Sequence, residues 1–169
     1  MDGNKTEELK LSSSYPNSFI MILNDEFFMK EALKQADAAV LKGEVPVGAV
    51  VVAENIIIAR AHNMTETLQD VTAHAEMLAI TSASNNLGAK YLTECTLYVT
   101  LEPCIMCAAA MSWAQLKRIV WGASDPKKGF TTLNSNILHP KTEITGGIMP
   151  DNASAMLKEF FERKRRPKL

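Results

Sequence analysis

The stretch TLYVTLEPCIMCAAAM, residues 96–111, decides the fold. Thr96 to Thr100 reads as a strand, rich in β-branched and aromatic side chains. Pro103 would open a helix directly after it, because proline suits the first helical position, where its missing amide would have had no partner. Outward from this unit, Arg118 to Gly122 reads as a further strand, Asp125-Pro126-Lys127-Lys128-Gly129 as a turn, and Glu143 to Gly146 as a weaker strand. Toward the N-terminus, Thr72 can cap a helix that carries Ala75, Ala79 and Ala83 on one side and closes at Gly88. Before that, Val47 to Ala53 and Ile56 to Ala61 are two apolar runs split by Glu54-Asn55, the spacing of a two-residue hairpin. Their unbroken apolarity predicts burial on both sheet faces. Asn24 or Asp25 would cap a first helix with Phe28, Ala32, Ala36 and Ala39 or Val40 inward and Gly43 at its end. A last helix after Asp151 or Asn152 would bury Met156, Leu157, Phe160 and Phe161. Helix, two strands, then alternating helices and strands predict an α/β fold with a mixed sheet covered on both faces.

The chain has 169 residues, enough for one domain with a real core and too few for two. Residues 1–20 mix charges with Ser12, Ser13 and Ser14 and are expected to form a flexible extension, leaving 21–169 as a single domain. A net charge of -1 gives no global attraction to nucleic acid, so any such contact must use local basic patches. No apolar run reaches membrane-span length, and Phe19 to Leu23 is too short for a signal peptide's apolar segment. Three cysteines cannot all pair within the chain, which favours a reducing, cytoplasmic setting and metal or redox chemistry over a disulfide framework.

Cys104 and Cys107 stand three apart at the start of a predicted helix, so their sulfurs can share one ion. Free amides and the helix dipole there favour thiolates. Taken alone, the pair could equally fill core beside Ala108 or act as a thiol–disulfide couple. His74, 30 residues upstream on another predicted helix start, shifts the balance. One imidazole and two thiolates make a three-ligand set with an open position, the arrangement of catalytic zinc, in which the pKa of bound water falls from about 15.7 to about 7. His62 and His139 lack such context and read as structural or exposed. Glu76 lies two residues past His74, and at a first turn both side chains tilt toward the helix N-terminus and can converge. With Thr72 as cap, the capping-box position is 75, an alanine, so Glu76 is free to act as proton carrier.

His74-Ala75-Glu76 followed by Pro103-Cys104-Ile105-Met106-Cys107 resembles the signature of the zinc nucleobase deaminases. The flanking Glu44-Val45-Pro46-Val47-Gly48-Ala49-Val50, Ala61-His62-Asn63 and Asp125-Pro126-Lys127-Lys128-Gly129 extend the similarity to the bacterial tRNA adenosine deaminases over roughly residues 25 to 165. The resemblance implies a cytidine-deaminase-like three-layer α/β/α fold with a roughly five-stranded mixed sheet. It also implies one Zn2+ per subunit on His74, Cys104 and Cys107, catalysis by Glu76, and a homodimer that converts the wobble adenosine of a tRNA anticodon stem-loop to inosine. By the same carry-over Asn63 would hydrogen-bond the flipped base, while Val47 and the Ala75 backbone line its pocket. Asn63 can also be read simply as a turn residue. Two departures bear on substrate: Ala114-Gln115 stands where Ser-Arg is usual, with Trp113-Ala114 resembling free guanine deaminases, and the loop from Phe130 to Lys141 is shorter and lacks an Asn-His pair. A free-base deaminase of guanine or cytosine is the alternative, and a non-catalytic zinc-containing nucleic-acid-binding module a more distant one. Arg163, Lys164, Arg165, Arg166 and Lys168 form a basic tail that could meet phosphate or simply be solvated.

Overall fold

Asn24 starts the first helix as the sequence predicts: its Oδ1 accepts the Phe27 amide at 2.9 Å. The structure, a computed structural model, describes residues 23–133 and 135–165. The expected 1–20 extension, and Arg166 and Lys168 of the basic tail, lie outside them. Helix α1 (Asp25–Leu41) buries Phe28, Met29, Ala32, Ala36 and Ala39 and ends before Gly43, whose φ of +73° only glycine adopts freely. Strands β1 (Gly48–Ala53) and β2 (Ile56–His62) form the predicted hairpin. Glu54 and Asn55 both take left-handed φ, 49° and 63°, which matches the twist of the strands they join. The chain then runs through α2 (Thr65–Leu68), α3 (Ala75–Leu87), β3 (Cys95–Leu101), α4 (Ile105–Trp113), β4 (Arg118–Ala123), a 3₁₀ turn at Phe130–Thr132, β5 (Glu143–Thr145) and α5 (Pro150–Arg165).

The sheet order is β2-β1-β3-β4-β5, with β1 antiparallel to both β2 and β3, and β3, β4 and β5 parallel. Alternate residues explain the three layers. Val50 and Val52 of β1, Tyr98 of β3 and Val120 of β4 pack under α1. Ala49, Val51, Leu97, Val99, Ile119 and Trp121 point the other way, into a core shared with Ala75, Ala79, Ala83, Cys107 and Ala108 of α3 and α4. The N-terminal end of β1 touches α1 so closely that a β-carbon on Gly48 would collide with the Ala32 carbonyl. Only glycine fits there.

Four sequence expectations are corrected. β2 is a sheet edge and is not buried on both faces: Ile56 is 64% exposed and Arg60 faces solvent. Helix α3 is not capped by Thr72, whose amide and hydroxyl both donate to Asp70 Oδ1; its N-cap is His74. Helix α4 does not begin at Pro103 but two residues later, because Cys104 pairs with Gly129 in a β-bridge and the Pro103 carbonyl accepts the Phe130 amide, which holds this segment extended. In α5, Ala153 and Phe160 are buried and Met156 and Leu157 half-buried, but Phe161 is exposed. No helix among the described residues is long and apolar enough to cross a membrane.

One ion pair ties the first helix to the far strands. Asp25 accepts from Arg118 Nη1 and Nη2 at 2.7 and 2.8 Å and from the Tyr98 hydroxyl at 2.9 Å, and Arg118 also donates to Thr145. The Arg118 guanidinium holds the Asp25 carboxyl below its ordinary 3.8, despite partial burial. A carboxyl that ionises more readily when folded stabilises the fold fully above the unfolded pKa, and loses that contribution as pH falls through the lower folded value. Asp25→Asn should therefore cost about 1–2 kcal/mol at neutral pH, with the gap to wild type closing only below 3.8, as read from urea midpoints across pH.

Candidate active site

Helices α3 and α4 both start at the sheet end where β1 begins and β3 finishes, and their first residues meet. His74 Nδ1 lies 3.6 Å from Cys104 Sγ and 3.5 Å from Cys107 Sγ. All three donor atoms fall within 4.8 Å of one another. A tetrahedral zinc with Zn–S of about 2.3 Å and Zn–N of about 2.0–2.1 Å would separate nitrogen from sulfur by about 3.6 Å, so the observed spacing fits that ion. His74 and Cys104 are the N-caps of their helices, and Cys107 sits in the first turn of α4, fully buried. Small side chains permit this approach: Ala75, Ala79 and Ala108 are all inaccessible to solvent.

The charges favour a cation. A hydrogen bond from Cys107, with His74 beside it, lowers the Cys104 thiol to about 4 against the cost of burial. The same bond to Cys104, together with burial and the nearby Glu76, pushes Cys107 upward. Cys104 and Glu76 raise the His74 imidazole, against its burial. A divalent ion would hold both sulfurs as thiolates, and its binding would release protons. Glu76, 4% exposed, has its carboxyl raised by burial, offset in part by its own amide and by His74. A buried carboxyl that gives up its proton less readily than an exposed one suits a group that must both take and give a proton.

A cavity of about 280 Å³ opens over these residues, lined by Val45, Val47, Asn63, Thr65, His74, Glu76, Leu101, Cys104, Asp125 and Lys128. Asn63 and Val47 both line this cavity beside the cluster. Ala75 does not line this cavity; its methyl is packed in the core. His62 and His139 stay away from the cluster, His139 Nδ1 accepting the Lys141 amide. The sequence reading missed Val45, Thr65, Leu101 and the rim pair Asp125 and Lys128 as cavity walls. It also missed two buried carboxylates behind them. Glu44 accepts from Thr67 N at 2.7 Å, Glu66 N at 3.2 Å and Asn63 Nδ2 at 3.1 Å. Glu102 accepts from Asp125 N at 2.9 Å and from the Thr131 amide and hydroxyl at 3.1 and 2.6 Å. Nothing in local sequence marks a glutamate as buried; for Glu44 the one signal is its place in the Glu44 to Val50 segment that carries the family resemblance.

The cytidine and deoxycytidylate deaminase zinc-binding region matches residues 23–123 of this chain. The chain belongs to that family. It is 46% identical over 149 residues to a tRNA-specific adenosine deaminase of Bacillus subtilis (strain 168), covering 85% of this chain and 92% of that protein. A solved structure from work on A-to-I editing by tRNA:A34 deaminases at the wobble position of transfer RNA superposes with a TM-score of 0.73 at 41% identity, over 77% of this chain and 98% of the other. A guanine deaminase structure from Bacillus subtilis is more distant, with a TM-score of 0.55 at 31% identity over 85% of this chain and 78% of that one. By sequence identity the chain is thus nearer to these tRNA enzymes than to that guanine deaminase.

Proposed function

We propose that this protein hydrolyses the wobble adenosine of a tRNA anticodon to inosine in the cytoplasm, with one zinc ion per subunit held by His74 Nδ1 and the Cys104 and Cys107 thiolates. The observation that carries the reading is the His-Cys-Cys cluster beside buried Glu76 in one small cavity, in a chain 46% identical to a tRNA-specific adenosine deaminase. When bound, zinc supplies Lewis-acid activation of water. The chain's own residues do the rest. A carboxylate oxygen of Glu76 takes a proton from the attacking water and delivers it to the ring nitrogen next to the amino-bearing carbon. A second transfer through Glu76 sends the amino group off as ammonia, so that water and adenosine become inosine and ammonia.

A cavity of about 280 Å³ holds a single heterocycle and excludes a folded stem-loop, so the base must leave its stack to enter. Val47 and Leu101 give it apolar walls and Asn63 a polar contact, while Ala75, packed in the core, is not among the residues that line it. Lys128 brings positive charge to the rim, where a phosphate of the flanking strand would pass. Arg163, Lys164 and Arg165 end α5, which packs with β4 and α1, and none of the three lines this cavity. Incubation of the zinc-loaded protein with unmodified tRNA should yield inosine in an ACG-type anticodon, with no ammonia from free guanine or cytosine. Glu76→Ala should reduce kcat by at least about 10²-fold while keeping its zinc.

A homodimer is the assembly this surface supports. Trp113 is 83% and Ile105 45% exposed, and with Ala109 they form an i, i+4, i+8 apolar stripe along α4, just outside the metal ligands. Sedimentation equilibrium should give twice the chain mass, and Trp113→Lys should shift the protein to monomer.

A further inference from the structure

Glu44 is fully buried, yet no step of the proposed deamination uses it. It follows the helix-ending Gly43 and reaches across to the segment after β2, where its two oxygens take four hydrogen bonds. Oε1 accepts from Thr67 N; Oε2 accepts from Glu66 N, the Thr65 hydroxyl and Asn63 Nδ2. Burial pushes the carboxyl upward, but these donors outweigh it and hold it ionised below its ordinary range. The consequence falls on Asn63. Its Nδ2 also donates to Thr65 Oγ1 at 3.1 Å, so both amide hydrogens are committed away from the base. Among the described residues the fully enclosed side-chain polar atoms without a partner are His62 Nε2 and Trp121 Nε1. Asn63 Oδ1 has no partner among the described residues either and is not one of these enclosed atoms, so it is open to the cavity that Asn63 lines. Reversing the amide would set a carbonyl oxygen against a buried carboxylate and forfeit two hydrogen bonds, which holds the reversed form below about one per cent.

We propose that Glu44 is a positioning residue that locks the Asn63 amide with Nδ2 inward and Oδ1 toward the cavity, so the pocket selects a nucleoside presenting a hydrogen-bond donor there, on its base or on its ribose. The inference rests on the deaminase reading for its substrate but not for its geometry. Sites built this way discriminate strongly, because a mismatched ligand leaves a buried polar atom unpaired.

The test combines a double-mutant cycle with a readout independent of turnover. In ¹⁵N NMR of the zinc-loaded protein the Asn63 side-chain amide is expected to be protected from exchange, and Glu44→Gln to lose that protection. On a tRNA stem-loop Glu44→Gln should raise KM roughly tenfold, with kcat within about threefold of wild type and zinc retained. Asn63→Leu should raise KM similarly, and the double variant no further, as expected if one residue acts through the other. A penalty that persists on a 2′-deoxyadenosine stem-loop places the donor on the base; one that vanishes places it on the ribose. If Glu44→Gln does not fold, Glu44→Asp, which keeps the charge but draws its oxygens away from Asn63, gives the same two readouts. An Asn63 amide still protected in the variants, additive KM penalties, or a loss of kcat that merely tracks zinc content or melting temperature would overturn the proposal. Loss of amide protection as expected, in a protein whose wild type makes no inosine, would uphold the positioning and count against the tRNA reading alone.

Discussion

The meeting of two helix N-termini at one end of the sheet is the constraint on which the rest depends. Helix α3 must begin with His74 and α4 just after Cys104, close enough for one nitrogen to sit 3.5–3.6 Å from two sulfurs. Two helices approach this closely only where their facing residues are small, which accounts for Ala75, Ala79, Ala83 and Ala108 in the core. Helix starts also bring free amides and positive dipole ends, so the ligands gather where negative charge is best tolerated. Packing and chemistry therefore ask for the same residues.

Around this centre the loops are held by buried carboxylates as well as by apolar contact, such as the Phe130 ring packed edge-on against Trp121. Glu44 gathers residues 63–67 and Glu102 gathers 125–131, so each wall of the cavity is fixed by a charge that accepts several backbone or side-chain donors. Both are shielded from water, at 0% and 4% exposure, and a buried carboxylate without its donors would be strongly destabilising. Such anchors give a pocket that is formed before its ligand arrives, which lessens the ordering cost of binding a flipped base. Gly129 belongs to the same device, since a β-carbon there would strike the Glu102 carboxyl.

Element order, the hairpin at Glu54-Asn55, the Asn24 cap and the metal-type cluster were legible in sequence because each depends on local spacing. The helix starts were misplaced at Thr72 and Pro103 for a common reason. Both expectations applied local capping chemistry, whereas His74 and Cys104 are held extended by distant partners: the Ala73 carbonyl takes the Met64 amide, and Cys104 pairs with Gly129. The exposed edge at β2 and the roles of Glu44, Glu102 and Lys128 follow from topology, which brings residues 19 or more positions apart into contact. No window of sequence carries that information.

The central claim is that His74, Cys104 and Cys107 hold one zinc ion and leave a coordination position for solvent beside Glu76. Zinc K-edge X-ray absorption on the purified protein tests it most directly. The expected result is two sulfurs at about 2.3 Å, one imidazole nitrogen at about 2.0–2.1 Å and one further light atom that is not a side chain, unchanged in Glu76→Ala. A shell with three sulfurs or none, or a fourth ligand from the protein, would contradict it.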